Sequence, residues 1–204
     1  YAMNRFFNLD NPVWRFVGNI ADMFLLSLLW YLSCLPLFTA GAATTAVYYV
    51  TLKLVRNQEG YTFASFRKSF ALNFKQGTLI WLLFAAVGLI LGADIYWGIH
   101  NASGVFLLPA FLIVALIYLL NLAFIFPFLA RCQNTTKAIL KMNFSISLRS
   151  FLPVLSTLLV TAGVFSVGIF VFWPLLLIAP GFSAYLNSYI FNRILDKYQM
   201  GLPE

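Results

Sequence analysis

The sequence predicts an all-α, polytopic integral membrane bundle of six transmembrane helices, arranged as three hairpins with amphipathic helices on the cytoplasmic side. Composition is the first observation: 62% of the 204 residues are hydrophobic and 9% are charged, whereas roughly a quarter of the residues in soluble domains are charged. The second is distribution, since long apolar runs alternate with short basic segments. The bilayer is therefore the expected solvent, and residues 1–204 are expected to form a single transmembrane domain.

Apolar runs of about 20 residues, the length that crosses a bilayer as a helix, define the predicted spans. Five are evident. A sixth is completed when Lys53 extends its ammonium group toward the interface, with Pro36 and Gly41 forming the turn before it. The predicted spans are residues 17–36, 37–55, 77–98, 104–129, 152–172 and 174–192.

The basic residues predict the orientation of these spans. Of the thirteen Lys and Arg residues, five lie in residues 53–75 and four in residues 131–149, and the two tails carry the rest. Basic side chains are retained on the cytoplasmic side of a membrane. Six spans with both termini in the cytoplasm place all thirteen there, whereas five spans would leave one tail outside.

The net charge of +7 would suggest nucleic acid as the partner of a soluble protein. Here the cations adjoin apolar spans, so anionic lipid headgroups are the expected partners and nucleic acid is not. Residues 61–74 and 135–148 both place large apolar residues at helical spacing, which predicts helices lying on the inner leaflet. The cations predicted to contact that leaflet or a partner are Arg67, Lys68, Lys75, Lys137 and Lys141.

Ionisable side chains inside a span are costly and need a partner. Asp22 and Lys53 lie about equally far from the turn of the first hairpin, so we expect them to pair, with Asn19 one helical turn from Asp22. The resulting intramembrane polar clamp would close the hairpin. A proton or ion site at the same residues is the alternative.

Small residues at helical spacing predict surfaces that admit a neighbouring helix closely. One such surface follows the first turn, and another lies in the third span. The residues predicted to serve helix packing or a partner interface are Gly41, Thr44, Thr45, Gly88 and Gly92.

No catalytic pattern is present. One histidine cannot form a multi-histidine metal site, the two cysteines lie far apart in sequence, and no glycine-rich phosphate loop occurs. We therefore expect a protein that is not an enzyme, with no catalytic, cofactor-binding or metal-binding residues and no cofactor.

The N-terminal part of the chain carries a specific pattern of polar and small residues. It comprises Asp10-Asn11-Pro12, Trp14-Arg15-Phe16, Asn19, Asp22, Gly41, Thr44-Thr45-Ala46, Tyr48-Tyr49, Lys53, Glu59-Gly60, Ser65-Phe66, Ser69-Phe70, Asn73 and Lys75-Gln76. This pattern resembles the YesL family of bacterial membrane proteins. The resemblance implies a location in the plasma membrane of Gram-positive bacteria and an association with carbohydrate ABC importers.

These observations lead to an expected function and two alternatives. The expected function is that of an accessory transmembrane subunit that packs against the transmembrane subunits of a carbohydrate ABC importer and stabilises or modulates the complex. A stand-alone transporter or channel for small solutes is one alternative, and a membrane sensor or scaffold is the other. Membrane lipids are expected partners in each case. The sequence is also compatible with a homo-oligomer.

Overall fold

The computed structural model describes residues 12–58, 60–101, 104 and 106–198. Residues 1–11 and 199–204, the outer parts of the two predicted tails, lie outside this part. The described chain is helical and has no strand. Its helices are α1 (Pro12–Ser33), α2 (Ala40–Val55), α3 (Thr62–His100), α4 (Leu108–Arg131), α5 (Thr136–Arg149), α6 (Phe151–Phe170) and α7 (Ala179–Lys197), with short 3-10 turns at Leu37–Thr39 and Trp173–Leu177.

Proline and asparagine mark several of the helix boundaries. Pro109 and Pro180 lie in the first turns of α4 and α7, where a missing backbone N–H costs nothing. After α2 the chain reverses through Asn57, which has a φ of 53°, in the left-handed region that asparagine tolerates better than most residues. This reversal lays α3 antiparallel to α2.

Helix α2 lies at the centre of the bundle and contacts α1, α3, α4 and α7. Its small residues Ala42, Ala43 and Ala46 are fully buried, which lets the neighbouring backbones approach closely. Two aromatic rings extend the core toward α4 and α7: Phe124 and Phe191 are fully buried and their centroids lie 5.6 Å apart.

Helix α3 is a continuous helix of 39 residues, about 58 Å long at 1.5 Å per residue. The sequence predicts two elements here, an amphipathic helix and a separate span beginning at residue 77. The structure joins them, because no proline or helix-ending residue interrupts residues 62–100. The basic first part packs along α2, and the apolar remainder extends beyond α2 to pair with α4.

The second amphipathic segment is present as a helix of its own, α5, which lies within two residues of the predicted range. The last helix differs more from the predicted span, residues 174–192. Residues 173–177 form a 3-10 turn, and α7 begins at Ala179 and runs on to Lys197.

Three helices in the described part of the chain are long and apolar enough to cross a membrane: α3, α4 and α6. The apolar stretch of α3 exposes most of its side chains, with Leu89 77% exposed. A surface of this kind is stable against acyl chains rather than water. The chain is thus an all-helical protein with the character of a membrane protein.

Candidate functional site

The structure separates the residues of the predicted polar clamp. The carboxylate of Asp22 accepts a hydrogen bond from the Thr62 hydroxyl at 2.6 Å, and the ammonium group of Lys53 lies 4.4 Å from the centroid of the Tyr49 ring. Asn19 faces the Tyr185 hydroxyl at 3.5 Å. Among the described residues, Asp22 and Lys53 form no ion pair, because the start of α3 lies against α1 and supplies a nearer donor. The first hairpin is therefore closed by α3 rather than by its own charges.

The small residues of α2 pack inside the chain. A Cβ atom at Gly41 would overlap the carbonyl oxygen of Gly77 and would lie 2.6 Å from the Cβ of Trp81. The Thr45 hydroxyl donates to the Gly41 carbonyl at 2.8 Å, and Thr44 accepts a 3.0 Å hydrogen bond from the Trp30 indole. These residues make intramolecular contacts; Gly41 and Thr45 are buried, and Thr44 is half-buried.

The two glycines of α3 that were predicted to serve packing, Gly88 and Gly92, have different surroundings. A Cβ at Gly88 would lie 2.6 Å from the Tyr118 hydroxyl, which donates to the Phe84 carbonyl at 2.9 Å, so Gly88 allows α4 to approach. A Cβ at Gly92 would meet nothing within 4 Å. Gly92 therefore borders open space, whereas Gly88 packs against α4.

A buried polar cluster connects α4 with α5. The Oδ1 atom of Asn121 accepts hydrogen bonds from the Asn143 side-chain amide at 3.0 Å and from the Ser147 hydroxyl at 3.1 Å. The Asn121 amide in turn donates to the Ile117 carbonyl at 2.8 Å. Asn143 is 1% exposed, yet its own Oδ1 has no partner among the described residues. The cluster therefore holds one unused buried acceptor.

Asn121 and Asn143 also line a groove of about 360 Å³ between α3, α4 and α5. Aliphatic and aromatic side chains form nearly all of its wall. The exceptions are Asn121 and Asn143, the two neighbouring carboxamide residues of the polar cluster. The lining residues are Leu83, Phe84, Val87, Leu91, Val114, Ile117, Tyr118, Asn121, Leu140, Asn143 and Phe144. The groove is an apolar surface with a single polar feature, and we call it the α3–α4 groove.

A charged cluster lies where the C-terminal ends of α2, α4 and α7 meet. Arg56 and Arg131 both bind the carboxylate of Asp196. The same two guanidinium groups donate to the Asn192 Oδ1 at 3.1 and 3.2 Å, and the Asn192 amide donates to the Leu52 carbonyl at 3.1 Å. Arg131 is 3% exposed. Sequence reasoning missed this cluster because its members lie far apart along the chain, although all three charged residues stand at helix ends.

The two arginines of this cluster lower the pKa of the Asp196 carboxyl. Burial by itself raises the pKa of the Asp196 carboxyl, but hydrogen bonds and attraction from Arg131 and Arg56 outweigh that effect and lower the pKa below its ordinary value. A group whose pKa is lower in the folded than in the unfolded state stabilises the fold at pH values above its unfolded pKa, and the stabilisation is lost as the pH falls through the folded pKa.

We therefore expect the melting temperature of the purified protein in a neutral detergent to fall as the pH is lowered below about 4. The variant Asp196→Asn should have a lower melting temperature than the wild type at pH 7. On acidification, its melting temperature should fall by less than that of the wild type. Asp94→Asn, near the C-terminal end of α3, serves as the control and should retain the wild-type pH dependence. Equal acid sensitivity of the wild type and Asp196→Asn would contradict the assignment.

The cations predicted to contact the inner leaflet are all exposed: Arg67, Lys68, Lys75, Lys137 and Lys141. The first three lie on the part of α3 that flanks α2, and the other two lie on α5. The described residues contain no group of three or more metal-ligating side chains. The chemical groups that the described residues present to a ligand or partner are therefore apolar surfaces, polar side chains and cations.

Comparison with known proteins finds one family model that matches the first three helices of the chain. The model of a family described as "Protein of unknown function, DUF624" matches residues 23–95, which run from α1 through most of α3. No curated protein and no solved structure matches the chain. The matched range includes the Gly41–Gly77 contact. The matched family is the YesL-like family, so the match over residues 23–95 is consistent with the resemblance that the sequence shows.

Proposed function

We propose that this protein is an accessory membrane subunit that binds a transmembrane helix of a carbohydrate ABC importer in the α3–α4 groove and stabilises or modulates the complex. One observation carries the proposal: the groove is apolar and open, and two carboxamide residues, Asn121 and Asn143, are the main polar feature of its wall.

Helix association in lipid is driven by close packing and hydrogen bonding, because acyl chains are as apolar as leucine. A groove between two helices offers a partner helix more van der Waals contact than a convex surface does. A polar side chain on the partner helix that lies beside Asn121 and Asn143 would add selectivity, because hydrogen bonds between helices favour one partner over lipid.

The identity of the partner rests on the family. YesL-like proteins look like companions of carbohydrate ABC importers, and this chain shares the family's pattern over residues 10–76. We accordingly place the protein in the bacterial plasma membrane. The small-residue surface of α2 is not part of the interface, because α3 already covers it.

The proposed topology has six crossings with both termini in the cytoplasm. It is supported by the charge distribution of the sequence. The contact of Gly41 with Gly77 places the turn between α1 and α2 level with the start of the apolar part of α3, so α2 is the crossing that the packing opposes. Cysteines introduced at positions 40 and 101 should react with an impermeant reagent added to intact cells, and one at position 58 should not. Protection at position 40 would show that the α1–α2 turn does not reach the outer face, a sharp test because α2 lies beside the basic part of α3.

Docking is tested by filling the groove. Val87 and Val114 line it and are 41% and 48% exposed, so tryptophan at both positions can be accommodated without disturbing the core. We expect Val87→Trp/Val114→Trp to reduce co-purification of the importer's transmembrane subunits from native membranes by about tenfold, the effect of losing about 1.4 kcal/mol. The measurement is quantitative mass spectrometry of the captured subunits.

Leu159→Trp is the matched control, because Leu159 is 66% exposed on α6, away from the groove. This variant should retain the importer subunits. Equal retention by the groove variant, or a wild-type chain that always elutes alone, would refute docking at this site. Solute flux into liposomes containing only this protein would instead support the alternative of a stand-alone transporter.

A further inference from the structure

A second groove, of about 540 Å³, lies between the start of α6 and the last turns of α7. Three cations line it, Arg149, Arg193 and Lys197, together with Ser150 and Ser156. Its apolar wall consists of Pro153, Ile190 and Ile194. The importer-docking proposal makes no use of this groove, which lies against different helices.

The charge of this groove is not neutralised from within the described chain. No acidic side chain lines it. The one carboxylate of α7, Asp196, is bound by Arg56 and Arg131 on another side of the helix. Arg149, Arg193 and Lys197 are all exposed, and none of them takes part in an ion pair among the described residues. Three like charges face one open groove, so an anion is the ligand that their chemistry favours.

Position along the helices decides what kind of anion fits. Arg149 and Ser150 directly precede α6, one of the helices apolar enough to cross a membrane, and Lys197 ends α7. The cations therefore flank the apolar segment, at the level of lipid headgroups. Moving away from the cations, Pro153 on α6 and Ile194 on α7 come first. Ser156 on α6 and Ile190 on α7 lie one helical turn farther from the cations. The Ser156 hydroxyl donates to the Pro153 carbonyl at 2.6 Å, so its proton is already used within the helix.

We infer that this groove is a binding site for an anionic phospholipid, with the phosphate group held by Arg149, Arg193 and Lys197 and an acyl chain lying along Pro153, Ile190 and Ile194. Basic pockets between transmembrane helices bind lipid headgroups of this kind. A soluble phosphate would match the cations but would leave the apolar wall without a partner. The amphiphile satisfies both parts of the groove.

The test measures lipid binding to the full-length protein in a neutral detergent by native mass spectrometry, using phosphatidylglycerol as the probe and phosphatidylcholine as the uncharged reference. We expect phosphatidylglycerol to bind about a hundredfold more tightly than phosphatidylcholine, since each of three cations contributes about fivefold. Arg149→Gln/Arg193→Gln/Lys197→Gln should abolish that preference. Equal binding of the two lipids by the wild type would overturn the inference.

The matched control is Gln58→Glu/Asn101→Asp/Gln133→Glu, which lowers the net charge by the same three units at exposed positions outside the groove and should bind phosphatidylglycerol like the wild type. An equal loss in both triple variants would overturn the site, since it would indicate attraction by net charge alone. The single variant Arg193→Gln, at an exposed position, should weaken binding about fivefold and keeps the test decisive if the triple variant does not fold. Glycerol phosphate, the soluble headgroup, should not displace the lipid, and displacement would assign the groove to a free phosphate instead.

Discussion

Gly41→Ala is expected to lower the free energy of unfolding by about 3 kcal/mol, at the upper end of what overpacking costs. The added methyl group would overlap the carbonyl oxygen of Gly77 and would press on the Cβ of Trp81. Neither atom belongs to the flexible end of a side chain, so α2 and α3 must separate to accept the methyl group. The measurement is unfolding in mixed micelles with increasing SDS, followed by far-ultraviolet circular dichroism.

Gly92→Ala is the control for this prediction, because it adds the same methyl group where nothing lies within 4 Å. Alanine favours the helix over glycine by up to about 1 kcal/mol, so this variant should be as stable as the wild type or slightly more so. If Gly41→Ala were as stable as Gly92→Ala, α2 and α3 could not be in the close contact described here.

Phe191→Ala is expected to cost about 3–5 kcal/mol, the range for removing a fully buried phenylalanine ring. The Phe191 ring is 0% exposed and joins three helices, with its centroid 5.5 Å from that of Tyr48 on α2 and 5.6 Å from that of Phe124 on α4. The resulting cavity would lie where these helices converge, so their relative positions would loosen together. The same SDS unfolding experiment measures the loss.

Phe170→Ala provides the comparison, since Phe170 is 85% exposed at the end of α6. Removing that ring leaves no cavity and should change the free energy of unfolding by less than about 0.5 kcal/mol. Similar losses for the two variants would show that stability follows the number of aromatic rings rather than the packing at Phe191. Leucine at position 191 should recover much of the loss, because it refills part of the volume.

Functional interpretation depends on two surfaces that differ in chemistry. The α3–α4 groove is apolar apart from one cluster of carboxamides and suits a helix. The groove between α6 and α7 has three cations at one end and an apolar wall beyond them, which suits an anionic lipid. The two grooves share no lining residue, so a partner helix and a lipid would not compete for one surface. Binding measurements on each groove variant separate partner binding from lipid binding.

Much of the secondary structure follows from the sequence. The long apolar runs and the segment at 135–148 correspond to helices in the structure, because hydrophobic length and helical spacing are local properties. The boundary within α3 did not follow from the sequence. Hydropathy changes sharply near Gly77 but the backbone does not, since nothing there prevents the helix from continuing.

The sequence by itself determined that this is an all-helical membrane protein, that its cations collect in a few segments, and that its N-terminal part follows the YesL pattern. Only the tertiary structure decided which residues meet: Asp22 with Thr62 rather than Lys53, Gly41 with Gly77, and Arg56 and Arg131 with Asp196. The physical reason is that composition and spacing act along a single helix, whereas contacts between helices depend on their rotation and register. Many registers bury similar apolar surface, and close packing at a few glycines and buried polar groups selects one of them.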